Sequence, residues 1–80
     1  MSVDIEVFTT PSCPYCTKIK DWLEQNGHEY TEYNVAENRE KAKEMVERSQ
    51  ARGVPQVFIG DHEIIGFQPE KIQQAIEAEA

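Results

Sequence analysis

Strand-like and helix-like runs alternate along this 80-residue chain, with no repeat, low-complexity tract or linker between them. Residues 3–8, VDIEVF, put Val3, Ile5 and Val7 on one side of a period-two pattern, which predicts a strand. A helix is predicted over residues 14–26, with Ile19, Trp22 and Leu23 on one face and Gly27 where a helix stops. Residues 28–35, rich in Tyr and Thr, predict a second strand whose inward face the pattern leaves open. Asn38 is placed to cap a second helix, in which Ala42, Met45, Val46 and Ser49 recur at helical spacing against a charged outer face. The apolar run VPQVFIG (residues 54–60) suits a buried strand, GDH (60–62) a tight turn, and EIIGF (63–67) the partner strand. Pro69 then stands at the first position of a last helix carrying Ile72, Ala75 and Ile76 inward. The order β-α-β-α-β-β-α describes an α/β fold, with residues 1–80 as one domain.

At 80 residues the chain lies near the lower end of what one hydrophobic core supports unaided. Its composition, 39% hydrophobic and 29% charged, is that of a folded chain rather than a disordered one. The formal net charge of −7 repels phosphate backbones and anionic headgroups, which argues against nucleic-acid and membrane-surface roles. No apolar run approaches the roughly 20 residues of a membrane span. The start, MSVDIEVF, lacks the basic and apolar regions of a secretory signal. A cytoplasmic location with reduced thiols is therefore expected.

The only two cysteines, Cys13 and Cys16, sit in TTPSCPYCTK (residues 9–18). A structural zinc needs four ligands, and His28 and His62 are far from the pair and from each other in sequence. A structural disulfide closing so small a loop restricts the unfolded chain very little, so it is a poor staple. A redox pair accounts for the surroundings as well. Pro14 places Cys13 at the start of the helix, beside unpaired N–H groups and the positive end of the dipole, which favours thiolate over thiol. Cys16, one turn further in, is more shielded and poised to attack a mixed disulfide. A CxxC near a βαβ pattern in a cytosolic chain is a redox signature. Pro55 offers separate support. A proline before a core strand is tolerated at the strand end, either as a plain strand-start residue or as a cis X–Pro bond.

CPYC after a first strand, RGVPQVFIG before a hairpin and IIGF ahead of a terminal helix together resemble the glutaredoxins, in order and over nearly the whole chain. The resemblance implies the thioredoxin fold, a four-stranded mixed sheet flanked by helices, and a cis Val54–Pro55 bond packed against the CxxC. It implies a thiol–disulfide oxidoreductase acting on protein or glutathione mixed disulfides, with Cys13 as nucleophile and Cys16 as resolving cysteine. Tyr15 matches the aromatic residue flanking the glutathione groove. Val54 matches the residue whose backbone pairs with the substrate cysteine. Gly66, Phe67 and Gln68 match the segment holding the γ-glutamyl end of glutathione. Lys18 and Lys20 are either partners of the thiolate or substrate, or solvated surface lysines, and Arg52 either clamps a carboxylate or stays free. Trp22 and Met45 read as core, and neither histidine has a catalytic case.

The chain departs from the family pattern at Thr10, where many members carry Lys, and at Gly53, the usual Thr before Val-Pro. Ile65 stands for the first Gly of the usual Gly-Gly, and Gln68–Pro69 for the acidic pair that follows. GFQPEK is similar to a segment of the redoxins that feed ribonucleotide reductase and take electrons from thioredoxin reductase. The expected protein is a monomer that binds no cofactor or metal, with glutathione as co-substrate and disulfide-containing proteins as partners. Thioredoxin reductase is the alternative electron source. A dimer carrying an iron–sulfur cluster through Cys13 and glutathione is the alternative from another class, against which Pro14 argues.

Overall fold

The computed structural model describes residues 3–79. In chain order the elements are β1 (Ile5–Thr9), α1 (Pro14–Gln25), β2 (Thr31–Asn34), α2 (Arg39–Ser49), β3 (Gln56–Ile59), β4 (His62–Ile65) and α3 (Pro69–Glu79). The sheet runs β2-β1-β3-β4; β1 and β2 are parallel, and the other two pairings are antiparallel. This is the mixed four-stranded sheet with three helices expected of the thioredoxin fold.

Local chemistry explains where the elements stop. Beyond Gln25 the chain closes a Schellman turn: Gly27 sits at φ +73°, its N–H bonds the Glu24 carbonyl, and the His28 N–H bonds the Leu23 carbonyl. The Asn38 side chain accepts the Lys41 N–H at 3.1 Å and so caps α2 as expected. Gly60, at φ +56°, turns β3 back onto β4, with Ile59 opposite His62. Strand ends differ from expectation. β1 starts at Ile5 because Ile59, its partner, is the last residue of β3, and it extends to Thr9 because Asn34 pairs there. β2 is confined to Thr31–Asn34 because Glu6–Thr9 of β1 supply its only partners. EIIGF likewise ends as a strand at Ile65, and Gly66 turns away at φ +88°.

Both faces of the central strands are covered, which is why all four residues of β3 are buried. On one face Ile5, Val7, Val57, Ile59 and Ile64 pack against Ile19 and Leu23 of α1 and Ile72, Ala75 and Ile76 of α3. Trp22 lies half-buried at the edge of this core. On the other face Phe8 and Phe58 meet edge-to-face with centroids 5.2 Å apart, beneath Met45 of α2. Arg48 of α2 stacks 4.0 Å over Phe58 while bonding Glu6 at 3.0 Å, fixing the helix across the sheet.

Candidate redox site

The end of β1 and the beginning of β3 lie side by side, since Phe8 pairs with Gln56. Gln56 in turn pairs with Ile65 at the end of β4. Three loops therefore leave the same end of the sheet: residues 10–13, which enter α1; residues 50–55, which enter β3; and residues 66–68, which enter α3.

The first loop folds on itself. The Cys13 N–H donates to the Thr10 carbonyl at 3.3 Å, and Cys13 then becomes the N-cap of α1 with extended backbone (φ −99°, ψ 107°). Pro14 takes the first helical position, where its missing N–H costs nothing. The Cys13 Sγ accepts the Cys16 backbone N–H at 3.1 Å, doing for this helix what a Ser or Asp oxygen commonly does. Cys13 is half-buried and Cys16 is 1% exposed, packed on the face that carries Ile19 and Leu23. The two sulfurs are joined in a disulfide, with the Cα atoms 5.3 Å apart.

The second loop brings Val54–Pro55 in as a cis peptide, as the resemblance implied. Pro55 is fully buried, and its carbonyl accepts the Gly66 N–H at 2.9 Å, which ties the second loop to the third. Val54 packs its side chain on the Phe8–Met45–Phe58 core. Phe67 leans on the other core. The Gln68 amide donates to the Ile65 carbonyl at 2.6 Å, so this side chain is spent on its own turn. The Gln68 carbonyl accepts the Ile72 N–H, the bond that opens α3.

Tyr15 (54% exposed) and Ile65 (42%) are the large hydrophobic side chains left open to solvent among the described residues, and both stand at this end. Lys18 lies 5.1 Å over the Tyr15 ring. Arg52 is exposed. Neither cation makes an ion pair among the described residues. Lys20, by contrast, bonds Glu32 at 3.0 Å, which settles it as a structural partner of β2. That carboxylate also receives the hydroxyl of buried Thr9 at 2.7 Å. The Thr9 bond first, and the Lys20 ammonium after it, hold the Glu32 carboxyl below its ordinary range. The Glu32 bond raises Lys20. Sequence reading missed this triad and the buried Gln56. The alternation Ile5, Val7, Thr9 does place Thr9 on the α1 side of the sheet, and Gln56 is the one polar residue in VPQVFI.

The 15 acidic residues are unevenly placed: residues 9–18, 50–59 and 64–69 contain none. The segments that meet at this end of the sheet thus carry no acidic side chain, on a chain of net charge −7. Among the described residues, no group of three or more His, Cys, Asp or Glu side chains could hold a metal ion. Among the described residues no helix is long and apolar enough to cross a membrane.

Residues 5–64 match the glutaredoxin family. The chain belongs to that family. A glutaredoxin-like 8.6 kDa protein from the rubredoxin operon of Clostridium pasteurianum is 34% identical over 73 residues, covering 91% of this chain and 97% of that one. Glutaredoxin 3 of Escherichia coli is 36% identical over 63 residues, covering 79% and 76%. Among solved structures, the glutaredoxin-like NrdH-redoxin of Escherichia coli superposes with a TM-score of 0.81 at 28% identity, covering 89% of this chain and 92% of that one. The glutaredoxin match ends at Ile64, just before the departures at Ile65 and Gln68–Pro69.

Proposed function

We propose that the protein is a dithiol–disulfide oxidoreductase in which Cys13 attacks and Cys16 resolves. The reading rests above all on the asymmetry of the pair: Cys13 caps a helix at the half-open end, and Cys16 is buried one turn below it. In the reduced protein the helix N-terminus and the Cys16 N–H stabilise a Cys13 thiolate. That thiolate attacks one sulfur of a substrate disulfide. The substrate S–S bond breaks, its other sulfur leaves as thiolate, and a mixed disulfide with Cys13 forms. Cys16, deprotonated, then attacks the Cys13 sulfur, releasing the second substrate thiol and leaving the Cys13–Cys16 disulfide. Two electrons have passed to the substrate. Two molecules of glutathione return them, ending as glutathione disulfide. In this reading Tyr15 and the backbone of Val54 beside Pro55 border the groove, Gly66 and Phe67 form its far end, and Lys18 and Arg52 meet substrate carboxylates.

Cys16→Ser is expected to trap a mixed disulfide on Cys13, and Cys13→Ser to abolish exchange. Equal activity of the two variants would overturn the division of roles.

A second reading of the electron source is favoured by one position. Ile65 sets an exposed apolar side chain where most glutaredoxins have glycine, and Gln68 turns its amide to the Ile65 carbonyl rather than outward. The Escherichia coli NrdH-redoxin, similar over almost its full length, has a thioredoxin-like activity profile. Thioredoxin reductase would then replace glutathione as the reductant of Cys13–Cys16. Two coupled assays on one sample decide between them: glutathione with glutathione reductase against thioredoxin reductase. Turnover in the second alone removes glutathione from the scheme.

A further inference from the structure

Strand β3 carries three apolar residues and one amide. Val57 and Ile59 enter the core under α1 and α3, and Phe58 enters the core under α2. Gln56 is 0% exposed, between Phe8 on one side and Ile65 on the other. Burying a primary amide is costly unless its hydrogen bonds are remade. Only half of them are. Nε2 donates to the Ala51 carbonyl at 3.0 Å and to the Gly53 carbonyl at 2.8 Å, while Oε1 is buried without a partner. The two carbonyls dictate this orientation, because the flipped amide would set oxygen against oxygen. A leucine would fill much the same volume and remove the orphaned Oε1, giving up the donors to the Ala51 and Gly53 carbonyls. Stability alone therefore gives little reason for a glutamine, whereas its two donor bonds give a specific one.

Those bonds hold the backbone that leads into Val54–Pro55. The loop starts at Gln50, in left-handed conformation (φ 61°), and Ser49 Oγ accepts the Ala51 N–H at 3.2 Å. Gly53 has open space around its Cα and Arg52 is exposed, so packing does not fix this stretch. The Gln56 amide links it to a central strand that is paired on both sides.

We propose that Gln56 is a positioning residue for thiol–disulfide exchange: its buried amide sets residues 51–53 so that the Val54 backbone meets the polypeptide flanking a substrate disulfide. The inference rests on the oxidoreductase reading above. It separates docking, which depends on Gln56, from thiol chemistry, which depends on the α1 N-terminus.

The test compares wild type, Gln56→Leu and, as a core control destabilised without touching the loop, Ile72→Val. Insulin reduction driven by dithiothreitol reports docking of a polypeptide disulfide. The pH profile of Cys13 alkylation and the rate with a small aromatic disulfide report the thiol. For Gln56→Leu the KM for insulin is expected to rise about tenfold with kcat nearly unchanged, the scale of one lost hydrogen bond in docking. Both thiol readouts should match wild type. An unchanged KM, an equal rise in Ile72→Val, or a parallel shift of the thiol readouts overturns the proposal. If Gln56→Leu does not fold, Gln56→Met, flexible and equally without donors, is measured by the same criteria. A wild-type protein whose cysteines fail to react at all would instead sink the oxidoreductase reading itself.

Discussion

The loop that carries the cysteines and the loop that ends in Pro55 leave the same end of the sheet, yet different kinds of contact hold them. Residues 10–16 close on their own neighbours: Cys13 N–H to Thr10, Cys16 N–H to the Cys13 sulfur, and Thr17 N–H to the Cys13 carbonyl. Residues 50–55 contain little that could fold them alone. Ser49, Gln56 and the Gly66 N–H, from the end of a helix, a strand and the start of the next loop, give them their course. The first loop is a helix start that happens to carry sulfur, and its geometry follows from a cap residue followed by proline. The second is an assembled surface. Substrate chemistry would depend on one and substrate docking on the other, so changes to the two should separate in their effects.

The change that breaks both together is Phe8→Ala. Phe8 lies between the loops, one residue before the last of β1 and opposite Gln56, and it is 0% exposed against Phe58 and Tyr33. Removing such a ring typically costs about 3–5 kcal/mol, a large share of the stability of a chain this size. The midpoint of urea unfolding should fall accordingly, and a loss below about 1 kcal/mol would mean that this core is far looser than its packing indicates.

Ser49→Ala sharpens the comparison at lower cost. It deletes the bond to the Met45 carbonyl (2.9 Å) and the acceptor for Ala51 (3.2 Å), on the order of 1 kcal/mol. Amide exchange should quicken at Ala51, while exchange at Cys16, in the first turn of α1 after the other loop, stays as it was. Equal acceleration at both would show the loops to be one cooperative unit.

The same division marks what was legible in the sequence. The seven elements, the Asn38 cap, the Gly27 stop, the Gly60 turn and the placement of Cys13 and Cys16 on a helix start all follow from neighbours a few residues apart. The resemblance, rather than the local pattern, supplied the cis bond before Pro55. Strand ends were misjudged at β1, β2 and β4 because pairing, not propensity, terminates a strand, and the local pattern does not show where pairing stops. Lys20 was ambiguous for the same reason: only the fold brings Glu32 to it. Val54 and Phe67 match binding positions in the family, and the fold shows that their side chains also serve as core. A glutamine inside VPQVFI carries no local hint that its amide reaches back to Ala51 and Gly53.

The smallest predicted effect concerns a long-range side-chain tie at the root of the cysteine loop. Thr9, the residue before that loop begins, donates to Glu32, which also bonds Lys20 of α1. Because these bonds favour the carboxylate, the folded protein holds the Glu32 pKa below the ordinary value of 4.5. The stabilisation is therefore complete above that value and is lost as pH falls through the lowered one. Lys20 is raised from 10.5, so it stays charged throughout this acid range, and its own contribution fades only in strong alkali. The Glu32 side chain is 37% exposed and that of Lys20 30%, so solvent screens the pair and the contribution should stay below about 1 kcal/mol. Glu32→Gln is expected to flatten the fall in unfolding midpoint between neutral pH and pH 3. Thr9→Val, removing the larger cause of the shift, should flatten it partway. Superimposable pH curves for all three proteins would show that the Glu32 bonds add nothing to the support of the cysteine loop.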